Sequence, residues 1–294
     1  MKKNTKILLA VLLLIMGLLL TASWVFSSKV LQPKVNCKPD HHVFCNSPVE
    51  LNLAFEEVIV RTADGIDLPS WFIPAAGSNK GIVLVHGFGG SRYEGLRFAR
   101  VLHDAGYNLL ALNLRLNAGG FATMGYHEQK DVTAALDFLQ NDKKISTLGL
   151  MGFSMGAATS ILVMDKDPRV KAGLFSSPYT SALEVLSQAA QRDFGIPYYP
   201  LIPMVQITAD WRADMHLADV VPLDRIAHIA PRPILIYHCA QDKTTDASHS
   251  RILYEAAQEP KGLWIADCNK HERIWNQHTA EAEKRTVDFF KTNL

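Results

Sequence analysis

An α/β architecture built on one large, mostly parallel sheet is the fold class this chain predicts, and three features predict it. Short, wholly apolar runs recur from residue 82 to residue 266, among them Ile82–Val85, Leu148–Phe153 and Leu263–Ala266. The earlier runs are each followed by a stretch with apolar residues at helical spacing, and glycine-rich turns fall directly after two of them. A strand that is apolar at every position is buried on both faces, and helices on both sides of a parallel sheet supply that cover.

The elements follow in order. Lys2, Lys3 and Lys6 precede an apolar stretch from Ile7 to Phe26, broken only by Gly17, Thr21 and Ser23. Twenty residues at about 1.5 Å each match a hydrocarbon core of roughly 30 Å, which favours an uncleaved anchor. Ile7 to Leu20, followed by the small residues Thr21, Ala22 and Ser23, also fits the core and cleavage site of a signal peptide. In both cases the lysines stay on the cytoplasmic side. Residues 1–28 are therefore the signal segment, 29–54 an extracytoplasmic linker and 55–294 one domain. That domain is either held at the inner membrane or, after cleavage, periplasmic or secreted.

Val58–Thr62 and Ile66–Ile73 flank Ala63-Asp64-Gly65 and read as a hairpin. Ile82–Val85 and a helix over Tyr93–Ala105 come next, then Leu109–Leu114 with a helix over Glu128–Leu139, then Leu148–Phe153 with a helix over Met155–Met164. Ala172–Phe175, Ile234–Tyr237 and Leu263–Ala266 complete the set of strands. From Pro178 to Ala230 the alternation fails, and Phe194, Tyr198, Tyr199 and Trp211 appear among several prolines. Such a segment either covers a site or is a structural crossover.

Thirty basic residues against 29 acidic ones leave a net charge of +1. No field exists to collect nucleic acid, and the partner expected is a small molecule. Export makes the four cysteines candidates for disulfides. Cys37 and Cys45 are close together in the linker, while Cys239 and Cys268 each follow an apolar run, so that parallel strands would deliver both sulfurs to one sheet edge. Free thiols are the alternative, and the spacings do not resemble a zinc ligand set.

In an open α/β sheet, ligands bind beyond the carboxyl ends of the strands. There the chain places Gly152-Phe153-Ser154-Met155-Gly156, with a strand before it and a helix after it. A serine on that turn is thrust outward by a strained backbone, and its flanking glycines leave room for the close approach. A hydroxyl needs a base to become a nucleophile. Of the 11 histidines, His271 follows the last strand by a short loop, with His278 as its rival. A carboxylate must hold the imidazole. Asp242, in the loop after Ile234–Tyr237, gives the chain order Ser, Asp, His, whereas Asp246 suits a helix cap and Asp267 is too near His271 in sequence. Oxyanion stabilisation is assigned to the backbone N–H groups of Met155 and of Phe88, in the loop His86-Gly87-Phe88-Gly89-Gly90.

On these residues the chain resembles the α/β-hydrolase superfamily, and within it bacterial membrane-anchored serine hydrolases related to the prolyl-oligopeptidase-like esterases. The likeness covers about residues 55–294. "NLRLNAGG", Asn113–Gly120, is similar to a D-x-R-G-x-G stretch of that family, with Asn113 and Leu116 as departures. The resemblance implies an eight-stranded, mostly parallel sheet with an antiparallel first hairpin, and a lid over 178–230. It also implies acyl transfer to water with no metal or organic cofactor. An esterase or thioesterase acting on a small acyl substrate is the leading expectation. A peptidase or amidase with the same triad, or a catalytically silent envelope binding module, are the alternatives, the last disfavoured by a complete Ser, Asp and His set.

Overall fold

The computed structural model describes residues 3–35, 37 and 45–294. Lys2, His41 and His42 lie outside the described residues. Helix α1 (Lys3–Leu31) is exposed at every position from residue 4 to residue 18, and by length and composition it is able to cross a membrane. It runs beyond residue 28 because its last turns have packing partners, and Leu31 is fully buried.

Eight strands form one sheet in the order β1-β2-β4-β3-β5-β6-β7-β8. They are β1 (Glu56–Arg61), β2 (Asp67–Ile73), β3 (Lys80–Val85), β4 (Asn108–Leu112), β5 (Thr147–Phe153), β6 (Val170–Ser176), β7 (Ile234–Cys239) and β8 (Lys261–Ala266). The β1–β2 and β2–β4 pairs are antiparallel and the remaining pairs parallel. Several strands begin ahead of their apolar runs, at Lys80 and Lys261 for example, because ladder pairing uses the backbone whatever the side chain. Strand β4 stops at Leu112 rather than Leu114, since the Asn113 side chain turns aside to donate to the Pro69 carbonyl at 2.8 Å.

Side chains alternate between the faces, as strand geometry requires. Val83 and Val85 join one core with Val132 of α3 (Glu128–Asp137) and Ile161 of α4 (Met155–Lys166). Ile82 and Leu84 join the other with Leu102 of α2 (Leu96–Asp104). Helix α2 starts three residues later than the sequence suggests because Tyr93 leaves the helical path to meet Trp71 edge-on, with ring centroids 5.2 Å apart.

The segment after β6 folds into α5 (Ala182–Phe194) and α6 (Leu201–Ala213), followed by three short 3₁₀ turns between Leu217 and Ile229. The Ser181 hydroxyl accepts from the Glu184 N–H to open α5, and Gly195, at φ 64°, closes it in the left-handed conformation. Helices α7 (Ala247–Ala256), α8 (Ile274–Gln277) and α9 (Thr279–Asn293) complete the chain. Cys37 is bonded to Cys45 and Cys239 to Cys268. Because β3 lies between β4 and β5, the chain leaves β3 toward one side of the sheet and β5 toward the other, the kind of switch point at which open α/β sheets bind ligands.

Candidate active site

Ser154 sits between β5 and α4 with φ 50° and ψ −116°. A residue with a Cβ pays about 1–3 kcal/mol for such a conformation, so the surroundings must enforce it. Its N–H donates to the Ser176 carbonyl at 2.8 Å, and its own carbonyl accepts from Ala157 and Ala158 at 2.9 and 3.1 Å. The two glycines are sterically required. A Cβ at Gly156 would overlap the Val85 carbonyl oxygen and lie 2.5 Å from that of His86, and one at Gly152 would lie 2.6 Å from the Ala157 Cα. Gly87 is close as well, though less severely, since a Cβ there would be 3.1 Å from Ser154 Cβ.

Asp242, in the loop after β7, is buried, and its oxygens are fully employed. Oδ1 accepts from the Thr244 and Thr245 N–H groups at 2.8 and 3.1 Å. Oδ2 lies 2.6 Å from His271 Nδ1 and 3.4 Å from His238 Nε2. Burial alone would raise this carboxyl, but the two imidazoles outweigh it and hold the group well below the usual carboxylate range. An ionised Asp242 only accepts, so Nδ1 of His271 carries the proton and Nε2 offers its lone pair. For His271, burial pulls the pKa down, while the hydrogen bond and charge of Asp242 more than compensate, leaving it raised above 6.5.

The Ser154 hydroxyl makes no hydrogen bond among the described residues, and neither does Nε2 of His271. The direct hydroxyl–imidazole bond expected from the sequence is thus not formed in this conformation. Such bonds commonly tighten only when substrate is bound. The N–H groups of Phe88 and Met155 also lack a hydrogen-bond partner among the described residues, and the latter is the first amide of α4, at the positive end of its dipole.

The rivals have other work. His278 accepts no such role and contacts the Asp267 carbonyl at 3.0 Å, while Asp246 caps α7 through the Ser248 N–H at 2.9 Å. His86 is buried and held below its usual pKa by desolvation. The Leu114 N–H donates to its Nε2 at 3.0 Å, so its Nδ1–H donates to the Gly87 carbonyl at 2.8 Å. Among the described residues, no group of three His, Cys, Asp or Glu side chains could hold a metal ion.

Two supports were not legible in the sequence. His238, at the end of β7, donates from Nε2 to the Thr245 carbonyl at 2.8 Å, and its Nδ1 lies 2.6 Å from the Ser250 hydroxyl of α7. It therefore braces the loop that carries Asp242. Behind the base loop, Arg97 bridges two buried glutamates. Its guanidinium donates to Glu94 Oε1 at 3.2 Å and to the Glu272 carbonyl at 2.8 Å, while Glu94 Oε2 accepts the Gly87 N–H at 2.6 Å. The Ser176 hydroxyl donates to Glu272 Oε2 at 2.9 Å, and burial pushes that carboxyl above its usual value. Adjacency of Glu272 to His271 was the only available hint.

A family model described as the α/β hydrolase fold matches residues 81–200, from β3 to the approach to α6. The chain is similar to an uncharacterized Bacillus subtilis protein, YqkD, at 26% identity over 244 residues, covering 80% of this chain and 79% of that protein. It is also similar to the Escherichia coli esterase YjfP, at 27% identity over 157 residues, covering 50% and 57%. Among solved structures, an esterase from Pyrococcus furiosus superposes with a TM-score of 0.70 at 23% identity, covering 90% of this chain and 98% of that one.

Proposed function

Because a model of the α/β hydrolase fold matches residues 81–200 and a solved esterase shares the fold, we propose that this chain is a serine hydrolase of that superfamily, cleaving carboxylic esters or thioesters through an acyl-enzyme on Ser154. Ser154 Oγ attacks the carbonyl carbon as Nε2 of His271 takes its proton. Asp242 keeps the ring in the tautomer that makes this possible and stabilises the imidazolium. The carbonyl oxygen, now negative, is received by the Phe88 and Met155 amides. The imidazolium protonates the departing alcohol or thiol, and water then attacks the acyl-enzyme with His271 again as base. No step calls on a metal or organic cofactor.

The observation that carries this reading is the backbone of Ser154. A left-handed φ at a non-glycine residue, enforced by two glycines that no larger residue could replace, has no packing purpose of its own. Labelling by a fluorophosphonate probe tests it. Labelling of the wild type that vanishes in Ser154→Ala is expected, and a folded wild type that does not react overturns the proposal. A panel of p-nitrophenyl esters, acyl thioesters and aminoacyl amides then ranks the leaving groups.

We further propose that α1 is retained as an anchor, with the catalytic domain outside the cytoplasm. The two disulfides support this, since such bonds persist in oxidising compartments. N-terminal sequencing of the protein from membranes tests it, and a mature form beginning after Ser23 overturns it.

A further inference from the structure

The last turns of α1 are built into the lid. The Ser23 hydroxyl lies 2.7 Å from the Met204 carbonyl and 2.6 Å from Thr208 Oγ1 on α6. Arg212 donates to the Ser27 and Ser28 hydroxyls, both at 2.8 Å, and its guanidinium covers the Trp24 ring at 4.2 Å. Phe26 meets Phe194 of α5 edge-on at 5.2 Å. The chain leaving α1 continues across the proposed oxyanion loop, where a Cβ at Gly89 would lie 3.3 Å from the Lys34 carbonyl oxygen.

Beside these contacts, between α1, α5 and α6, lies a half-open cavity of about 280 Å³. Phe26 and Val30 of α1 form one wall and Leu186 of α5 and Val205 of α6 another, and Phe88 lines it too, next in sequence to Gly87, where a Cβ would lie 3.1 Å from Ser154 Cβ. Among the described residues, Lys29 and Gln206 are the only lining residues with polar side-chain ends. Pockets for compact drug-sized ligands run to roughly 300–1,000 Å³, so this one suits a single flexible chain.

If Ile7–Phe26 fills a hydrocarbon layer of roughly 30 Å, the bonds from Ser23 bring α6 down to the membrane surface. The lid is dressed for that position. Tyr199, Ile207 and Trp211 are 74%, 68% and 76% exposed, a cost in water but not in an interface where aromatic rings are favoured.

We propose that this cavity receives one acyl chain of a bilayer lipid, entering beside α1 from the extracytoplasmic face, so that the substrate is a membrane acyl ester with its carbonyl delivered between Phe88 and Ser154. The proposal rests on the serine hydrolase reading and on retention of α1. Water adds across the ester, the acyl C–O bond breaks, and a fatty acid and a lysolipid leave.

The test uses the full chain in nanodiscs of dipalmitoyl phosphatidylglycerol. Binding of anthroyloxy-palmitate to the Ser154→Ala protein reads the cavity without catalysis. Saturable binding is expected, weakened at least tenfold by Ala190→Trp, which fills the cavity. In proteins retaining Ser154, the ratio of palmitate released from the nanodisc lipid to acetate released from p-nitrophenyl acetate should fall at least tenfold with Ala190→Trp. Val30→Trp, on the opposite wall, repeats both measurements if Ala190→Trp fails to accumulate. Turnover of the acetate ester with no palmitate release and no probe binding overturns the cavity assignment and leaves the hydrolase reading standing. No ester turnover and no fluorophosphonate labelling overturns the hydrolase reading and with it the substrate, while probe binding in that protein still shows an acyl-chain site.

Discussion

Asp242 Oδ2 stands 2.6 Å from His271 Nδ1, and the rest of that carboxylate is occupied by its own loop and by His238. The carboxylate is thus immobilised independently of the imidazole it meets. Replacing it by asparagine keeps the shape but allows the amide to donate, which favours the wrong imidazole tautomer. For Asp242→Asn we expect kcat on a short ester to fall by about 10⁴, as in comparable triads, and the melting temperature to fall as well, because a carboxyl held below its usual range stabilises the folded state at neutral pH. Retention of more than a tenth of the wild-type rate would remove Asp242 from the role.

The pH dependence has opposite signs for activity and stability. His271 acts only when neutral, so kcat/KM should rise with pH through its raised folded pKa, above 6.5. A raised folded pKa means the protonated ring favours the folded state. That contribution is complete below the unfolded value and is lost as pH rises through the folded one. Thermal stability should therefore decline across the window in which activity climbs. Asp242→Asn removes the group that raises the pKa and should move the residual activity limb to lower pH. Rate measurements at the p-nitrophenol isosbestic wavelength with parallel melting scans would show whether the two curves cross.

What the sequence revealed depended on how local each signal was. Ser154 was legible because strand, turn and helix lie within one contiguous stretch, and Asp242 and His271 because each follows a recognisable apolar run. His238 looked like any histidine ending a strand, since nothing in sequence says that its two nitrogens face Thr245 and Ser250. Arg97 and Glu272 are separated by 175 residues, and their pairing exists only once β6, α2 and the base loop are assembled. The docking of α1 was hidden for the same reason, because Ser23 and Thr208 are 185 residues apart. An apolar segment advertises its affinity for a membrane, not the hydroxyl of Ser23 that meets α6.

Gly156→Ala tests how rigid the elbow is. The new methyl would collide with the Val85 and His86 carbonyls, which are backbone atoms pinned in β3 and its following loop. Overpacking typically costs about 1–3 kcal/mol, and with no flexible side chain to yield we expect the upper end. At roughly 2–4 °C per kcal/mol for a domain of this size, melting should drop by about 6–12 °C, with activity lost. An unchanged melting temperature would mean that the elbow can shift, and the steric account of Ser154 would fail.

Arg97→Leu would leave Glu94 and Glu272 buried without the guanidinium they share. Removing one partner of a buried ionic cluster costs about 3–5 kcal/mol. The loss should also reach the chemistry, because Glu94 holds the Gly87 amide and Glu272 adjoins His271. Arg97→Lys keeps the charge but not the fork, and should recover part of the stability and less of kcat. Recovery of both in equal measure would argue that Arg97 supports the fold alone.

The Cys239–Cys268 bond ties the end of β7 to the start of the base loop, closing a sequence separation of 29 residues. A loop of that length loses roughly 3–4 kcal/mol of denatured-state freedom on the entropy model. The double substitution Cys239→Ala, Cys268→Ala should therefore lower the melting temperature by about 6–16 °C. Beyond stability, the bond fixes the two loops that carry Asp242 and His271, and on the proposed mechanism slack between them would act on the proton transfer rather than on binding. Below the new melting temperature, kcat should fall several-fold while KM for a short ester stays close to its original value. If KM rises and kcat does not, the bond shapes the binding surface, and the acid and base are held together by their hydrogen bond alone.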